Sequence, residues 1–177
     1  AIPVYGRSAD NIRDHRHVTS LLHRIDTKEC GVEVTPVLSF DERGHQKNDT
    51  TYFVYGFTAE GNAPKEFYPT VESFIGEGGS FLIPEAVRVE KTGCTAGCHL
   101  EGKEAVGAFR FERRKLKANE SIEYVVLAGA TGEKASISKI CTLFGTKEQA
   151  ENELVKVKKY WTEKVNVEFE TGDEATD

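Results

Sequence analysis

Apolar and polar residues alternate along most of the first 128 residues, which predicts short β-strands rather than helices. The clearest case runs from Val32 to Phe40, where every second residue is apolar. Thr51 to Thr58 is apolar on both faces, so we expect it in the middle of a packed sheet. Further strands are predicted at Val18 to Ile25, Val87 to Glu90, Ala105 to Glu112 and Ile122 to Ala128. A short polar loop separates the last two, so we expect them to form an antiparallel hairpin.

The hydrophobic period becomes helical at residue 134. The apolar face of the first predicted helix is formed by Ile137, Ile140, Cys141 and Phe144, and Gly145 ends it. Thr146 and Gln149 form a T-x-x-Q capping box, which starts a second helix. The apolar stripe of that helix consists of Ala150, Leu154, Val157 and Trp161.

This order of strands followed by helices predicts a mainly β fold with C-terminal helices. We expect an antiparallel β-sandwich over residues 1–133 and a two-helix linker over residues 134–165. Residues 166–177 form an acidic tail without a folding pattern of its own. Because the chain also contains no Met, we interpret it as a domain of a longer protein.

The segment from Phe67 to Val87 fits neither period. Phe67, Phe74 and Phe81 recur every seven residues, and a glycine-rich stretch lies between the last two. Glycine permits backbone conformations that other residues avoid, so we predict an irregular loop anchored to a sheet by the aromatic rings. Loops held by a rigid scaffold often carry binding groups, although a purely structural connection is the alternative.

Charge and cysteine content narrow the classes of function. The chain has 177 residues and a net charge of -6, which argues against nucleic acid or an anionic membrane as a main partner. The spacing of Cys94, Cys98 and His99 is C-x3-C-H, which offers part of a zinc site if Cys30, Cys141 or a distant His completes it. Free thiols in a reducing compartment are the favoured interpretation, so we expect a cytoplasmic protein without a metal or cofactor.

No nucleophile elbow, phosphate-binding loop or dinucleotide-binding motif occurs in the sequence. The densest group of hydrogen-bonding side chains is near the N-terminus and consists of Arg7, Asp10, Asn11, Arg13, His15 and His17. Planar polar groups of this kind bind sugar hydroxyls, and Gly78 and Gly79 would allow a close backbone approach beside them. The alternative is a solvated surface held by Arg–Asp pairs.

Four stretches resemble the inverting glycoside phosphorylases of glycoside hydrolase family 94, which include cellobiose, cellodextrin and chitobiose phosphorylases and the phosphorylase-like region of cyclic glucan synthases. They are RSADNIRDHRHVTSLLHRI, PVLSFDERGH, FIGEGGSFLIPEAV and GTKEQAENELVKVKKYW. Phe74-Ile75-Gly76 followed by Pro84-Glu85-Ala86 is similar to a family motif of the sandwich domain. The helix from Lys147 to Trp161 is similar to the one that precedes the family's catalytic barrel.

The resemblance implies an N-terminal sandwich domain of the supersandwich kind with its helical linker. In such enzymes an (α/α)6 barrel carries the general acid and the site for inorganic phosphate, the co-substrate. No catalytic residue is therefore expected in this chain. The implied partners are a gluco-oligosaccharide, the catalytic barrel of the same protein and a second subunit in a homodimer. A free-standing carbohydrate-binding module and a purely structural interaction domain are the alternative functions.

Overall fold

The structure is a computed structural model that describes residues 2–4, 20–41, 44–132 and 135–164. Its strands are β1 (Ile2–Val4), β2 (His23–Lys28), β3 (Gly31–Pro36), β4 (Leu38–Asp41), β5 (Gly44–Lys47), β6 (Thr51–Thr58), β7 (Glu66–Thr70), β8 (His99–Glu101), β9 (Ala105–Arg110) and β10 (Tyr124–Thr131). Its helices are α1 (Val71–Ile75), α2 (Glu85–Arg88), α3 (Ala135–Phe144) and α4 (Lys147–Lys164).

The strands form a large sheet, a small sheet and a hairpin. The large sheet has the order β10-β6-β3-β2-β8, the small sheet has the order β1-β9-β7, and β4 pairs with β5. Every pairing is antiparallel. The expectation of a mainly antiparallel β fold with C-terminal helices is therefore confirmed.

The two sheets share one hydrophobic core. Its buried residues are Ile25, Val32, Val34 and Val54 from the large sheet and Phe67 and Ala105 from the small sheet. Two glycines allow the close approach of the sheets. A Cβ at Gly107 would lie 2.4 Å from Cβ of Val54, and a Cβ at Gly56 would lie 2.2 Å from the ring of Phe109. A side chain at either position would force the sheets apart.

Helices cover the outer faces of both sheets. On the large sheet, Phe53, Tyr55 and Phe57 of β6 pack with Ile137 of α3. On the small sheet, Tyr68, Val106 and Ala108 pack with Val71 of α1 and Ala86 of α2. Three apolar clusters thus hold the helices and the two sheets together in successive layers.

Several local predictions are confirmed. Strand β6 lies inside the large sheet between β10 and β3, as its two apolar faces require. Helix α3 ends at Gly145, whose N–H donates to the carbonyl oxygen of Cys141 at 2.8 Å. The capping box of α4 is formed, because Gln149 N–H donates to Thr146 Oγ1 at 3.2 Å and Thr146 N–H donates to Gln149 Oε1 at 3.1 Å.

Other predictions are wrong. Strands β9 and β10 do not form a hairpin, because β9 pairs with β1 and β7 whereas β10 pairs with β6. The segment between them crosses from the small sheet to the large one, which sequence alternation does not reveal. The predicted strand at Val87 to Glu90 is replaced by α2, which follows the N-cap Pro84 and carries Glu85 in its first turn.

Two element boundaries also differ from the prediction. The strand expected from Val18 begins at His23, and the strand expected over Val32 to Phe40 is divided into β3 and β4 by a bend at Val37. The segment around Cys94 and Cys98 leads into the short strand β8. None of the helices in the described part of the chain is long and apolar enough to cross a membrane.

Candidate functional site

The N-terminal part of the predicted site cannot be placed. Arg7, Asp10, Asn11, Arg13, His15 and His17 all lie outside the described residues. Gly78 and Gly79 lie on an exposed loop between α1 and α2. Gly78 has a φ of 66°, and a Cβ at Gly79 would lie 1.9 Å from the carbonyl oxygen of Ile75. The turn after α1 therefore requires both glycines, whatever else the loop does.

The segment from Phe67 to Val87 is not the irregular loop that we predicted, because Phe67 lies in β7, Phe74 lies in α1 and α2 begins at Glu85. Its aromatic residues serve as anchors only in part. Phe67 is buried in the core shared by the sheets. The Phe74 ring is 6.2 Å from the Tyr68 ring, edge to face, and 6.2 Å from the Phe81 ring. Phe81 remains at the surface beside Leu82, which is 93% exposed. The segment is therefore attached to the small sheet at its start, and its exposed loop presents apolar side chains to solvent further on.

An open groove lies at the end of the small sheet where β7 begins and β9 ends. Its volume is about 530 Å³. The aromatic side chains that line it are Tyr68, Phe74, Phe109 and Phe111, and the charged ones include Glu66, Arg110, Glu112 and Arg113. We call this feature the aromatic groove.

Arg110 holds one wall of the aromatic groove together. Its Nη2 donates to the carbonyl oxygens of Lys91 at 2.7 Å and Ala86 at 3.1 Å. Its Nη1 lies 3.2 Å from Glu66 Oε2, and its guanidinium carbon lies 5.3 Å from the centre of the Tyr68 ring. Arg110 thus attaches the segment that contains α2 to the small sheet.

Glu66 is held as a carboxylate in the same wall. The N–H of Gly93 donates to its Oε2 at 3.1 Å. This hydrogen bond, followed by the charge of Arg110, holds the pKa of Glu66 below its usual value. The Tyr68 hydroxyl donates to the carbonyl oxygen of Lys91 at 2.5 Å, and burial raises the pKa of Tyr68. Each of these groups already has a hydrogen-bond or ion-pair partner, so we expect them to shape the groove rather than react.

A second cavity, of about 220 Å³, lies on the other side of Phe111. Phe111 and Glu112 line both cavities, so the two lie next to each other. The Phe111 ring is 4.4 Å from the Tyr124 ring with the planes tilted by 30°. Polar side chains surround this aromatic pair: Thr58, Glu60, Asn62, Glu112 and Arg114. We call this second cavity the Phe111 cleft.

The polar groups of the Phe111 cleft form a small network. The Asn62 backbone N–H and Nδ2 donate to Thr58 Oγ1 at 3.2 and 3.3 Å. A hydrogen bond with the Thr58 side chain is the main cause that holds the pKa of Glu60 below its usual value. The cleft therefore presents a carboxylate, an amide and a guanidinium around an aromatic surface. Planar polar groups around a ring match the hydroxyls and the apolar C–H face of a sugar.

Cys94, Cys98 and His99 do not form a three-ligand group in the described part of the chain, although Cys94 and Cys98 lie close together. All four cysteines are free thiols. Burial, followed by hydrogen bonding with Cys98, raises the pKa of Cys94 to about 12, and burial raises the pKa of Cys141 to about 11. His99 instead lies between Asp26, at 2.8 Å, and Glu101, at 3.3 Å. Within the described ranges no three possible metal ligands form a group.

One pattern in the sequence indicates the aromatic groove and the Phe111 cleft. Phe109 and Phe111 alternate with Arg110 and Glu112, which places the aromatic rings and the charges on opposite faces. The contribution of Tyr124 could not be foreseen, because it comes from the other sheet. A scan of the chain against protein-family models finds no match, and a search of curated proteins finds none either.

Proposed function

We propose that this chain is the accessory domain of a glucan- or cellobiose-type glycoside phosphorylase. In this proposal it is a β-sandwich of the supersandwich kind that binds part of a gluco-oligosaccharide, contacts a catalytic barrel and takes part in a homodimer. The chemistry, with inorganic phosphate as co-substrate, belongs to the barrel. The Phe111 cleft is the observation that supports the sugar-binding part.

The supporting argument concerns the type of surface that a sugar requires. The Phe111 and Tyr124 rings form an apolar platform, and Tyr124 is exposed. Glu60, Asn62 and Arg114 supply acceptors and donors at its edge. The aromatic groove lies next to the cleft at Phe111, and the two cavities together would offer room for more than one ring of an oligosaccharide.

Titration with gluco-oligosaccharides of increasing length tests this proposal. We expect binding in the millimolar range, corresponding to about 4 kcal/mol, which suits an accessory subsite. Loss of the platform in Phe111→Ala should weaken binding about fivefold, because stacking on an aromatic ring contributes about 1 kcal/mol. Phe81→Ala removes a surface ring outside both cavities and serves as the control. Chemical-shift mapping by NMR locates the contact.

The outcomes separate the three functions under consideration. Millimolar binding that depends on Phe111 supports the accessory domain. Micromolar binding by the chain alone would favour a free-standing carbohydrate-binding module. No binding at any length, or binding unaffected by Phe111→Ala, would remove the sugar site and favour a structural interaction domain.

Exposed apolar residues support the part of the proposal that concerns the barrel. Phe81, Leu82, Ile83, Val87 and Val89 are exposed around α2. A cluster of this size on a protein surface often marks a contact with another domain. Under the proposal the catalytic barrel covers this cluster. The gene sequence beyond the codon for Asp177 tests whether a catalytic barrel follows. We expect that sequence to encode a helical barrel, and its absence would contradict the proposal.

A further inference from the structure

Helix α4 has an apolar stripe that nothing in the described structure covers. The helix has no buried residue. Its stripe consists of Ala150, Leu154, Val157 and Trp161, and the last three are each at least half exposed. At 100° per residue the four positions lie within about 60° of one another around the helix. We call these four residues the α4 stripe.

The position of α4 leaves this stripe accessible. Its first turn is attached to the rest of the protein, because Lys147 N–H donates to the carbonyl oxygen of Ala59 at 3.0 Å and Lys147 Nζ bonds Glu123 at 2.5 Å. From Leu154 to Lys164 every residue is exposed. An amphipathic helix with its apolar side in water is unfavourable, so a partner surface is expected to cover it.

We propose that α4 pairs antiparallel with α4 of a second copy of this chain. The order of side-chain sizes along the α4 stripe favours this arrangement. When the helices cross between residues 155 and 156, Leu154 lies opposite the second copy's Val157. Ala150 then lies opposite the second copy's Trp161, so the smallest side chain of the stripe makes room for the largest. The same contacts recur on the other side of the two-fold axis.

The charges along α4 also favour an antiparallel pair. Residues 147–155 contain three carboxylates and one lysine, whereas residues 156–164 contain four lysines and one carboxylate. An antiparallel pair places the acidic half of one helix over the basic half of the other, while a parallel pair opposes like charges. A second copy is therefore the partner that the helix itself fits.

Glu151 and Lys158 are a pair of opposite charges that would meet between the two helices. Glu151 and Lys158 lie on the same flank of the α4 stripe, about 80 to 100° around the helix from Ala150. In the antiparallel pair each Glu151 faces the second copy's Lys158. Lys158 has no ion-pair partner among the described residues, and Glu151 is held only by Lys147 at 3.7 Å. Both are thus available for an intermolecular pair.

This inference names the contact that forms the homodimer of the proposed function. It rests on the homodimer alone and not on sugar binding or the barrel. Sugar binding is measured by titration at the Phe111 cleft, and α4 pairing is measured by self-association. A chain that dimerises through α4 without binding sugar would retain the present inference and lose the sugar site. A chain that binds sugar as a monomer would give the opposite result.

The test uses the chain of residues 1–177. Sedimentation velocity between about 1 and 500 µM should show a monomer–dimer equilibrium in the micromolar range. Trp161 is the only tryptophan of the chain, so its emission should shift to shorter wavelength over the same concentrations. Trp161→Ala should weaken dimerisation at least about 100-fold, because the contact of this large side chain with Ala150 of the second copy is lost twice per dimer.

A charge exchange distinguishes α4 pairing from any other contact between copies. Glu151→Lys and Lys158→Glu should each weaken dimerisation about tenfold, because each places like charges opposite each other twice per dimer. The double variant should restore the original affinity. Asn152→Lys changes an exposed residue on the far side of the helix, about 160° around it from Ala150, and should leave the equilibrium unchanged.

Three results would overturn the inference. The first is a monomer at all concentrations with a constant Trp161 emission. The second is a dimer that neither single charge variant weakens. The third is a double variant that remains as weak as the single ones. Since these substitutions are on an exposed helix surface, circular dichroism should remain that of the parent chain.

Discussion

His23 shows how one buried side chain links stability to pH. It is 2% exposed, and neither ring nitrogen has a hydrogen-bond partner among the described residues. Burial disfavours the charged imidazolium and lowers the pKa of His23 from its ordinary 6.5. The folded chain therefore binds fewer protons than the unfolded chain at pH values between this lowered pKa and 6.5. The contribution of His23 to stability is complete above pH 6.5 and declines below it.

We expect the free energy of unfolding to fall as the pH is lowered from 7.5 to 5.5, more steeply in the parent than in His23→Leu. Urea unfolding at several pH values measures this difference. His99→Gln is the matched control. Hydrogen bonding with Asp26 raises the pKa of His99. The contribution of His99 to stability is therefore present at low pH and is lost as the pH rises. A His23→Leu curve with the same slope as the parent would mean that another group causes the pH dependence.

At the scale of elements, the hydrophobic period of the sequence predicted those strands and helices in which a pattern of apolar residues repeats along the element. Strand β6 and helices α3 and α4 are examples, since each has a repeated pattern over at least eight residues. Helix α2 was missed because one turn of four residues has no period to detect. The Pro84-Glu85 start signal was its only mark.

Strand partners could not be predicted because they depend on contacts distant in sequence. Phe111 follows a strand of the small sheet and Tyr124 begins a strand of the large one, yet their rings stack. The Phe111 cleft exists only because the chain changes sheets between them. The aromatic alternation could therefore be predicted from sequence, whereas the cleft that it forms could not.

Arg110 should control the attachment of α2 to the small sheet. It bonds two backbone carbonyls and Glu66, and its side chain is 33% exposed. Arg110→Ala should lower the free energy of unfolding by about 2 kcal/mol, because these acceptors lose a forked donor. Arg113→Ala is the control. Arg113 pairs with Glu90 at the surface with 82% of its side chain exposed, so its loss should cost less than about 0.5 kcal/mol.

Thermal and urea unfolding of the two variants measure these effects. Equal destabilisation by Arg110→Ala and Arg113→Ala would show that the hydrogen bonds of Arg110 do not hold α2 in place. Proton exchange of the amides around α2 provides a second measurement, since local detachment should speed exchange there first.

At the scale of the whole molecule, the buried apolar side chains lie between the two sheets and between the sheets and helices α1, α2 and α3. Helix α4 has no buried residue. The core between the sheets contains Val32, Val34 and Val54, all fully or almost fully buried. Helix α3 adds the buried Ile137, whereas α4 adds no buried residue. Because helical stability in proteins comes mainly from packing, α4 should open independently of the sheets.

Hydrogen exchange measured at two protein concentrations tests this distribution of stability. At a concentration where the chain is monomeric, amides from Leu154 to Lys164 should exchange at least about 100-fold faster than those of β3 and β6. At a concentration that favours the antiparallel pair, protection should rise in α4 while the sheets keep their rates, because association stabilises only what it covers. Uniform protection at both concentrations would show that α4 folds and unfolds with the sheets. A rise in protection confined to β10 would place the contact between copies at the edge of the large sheet instead.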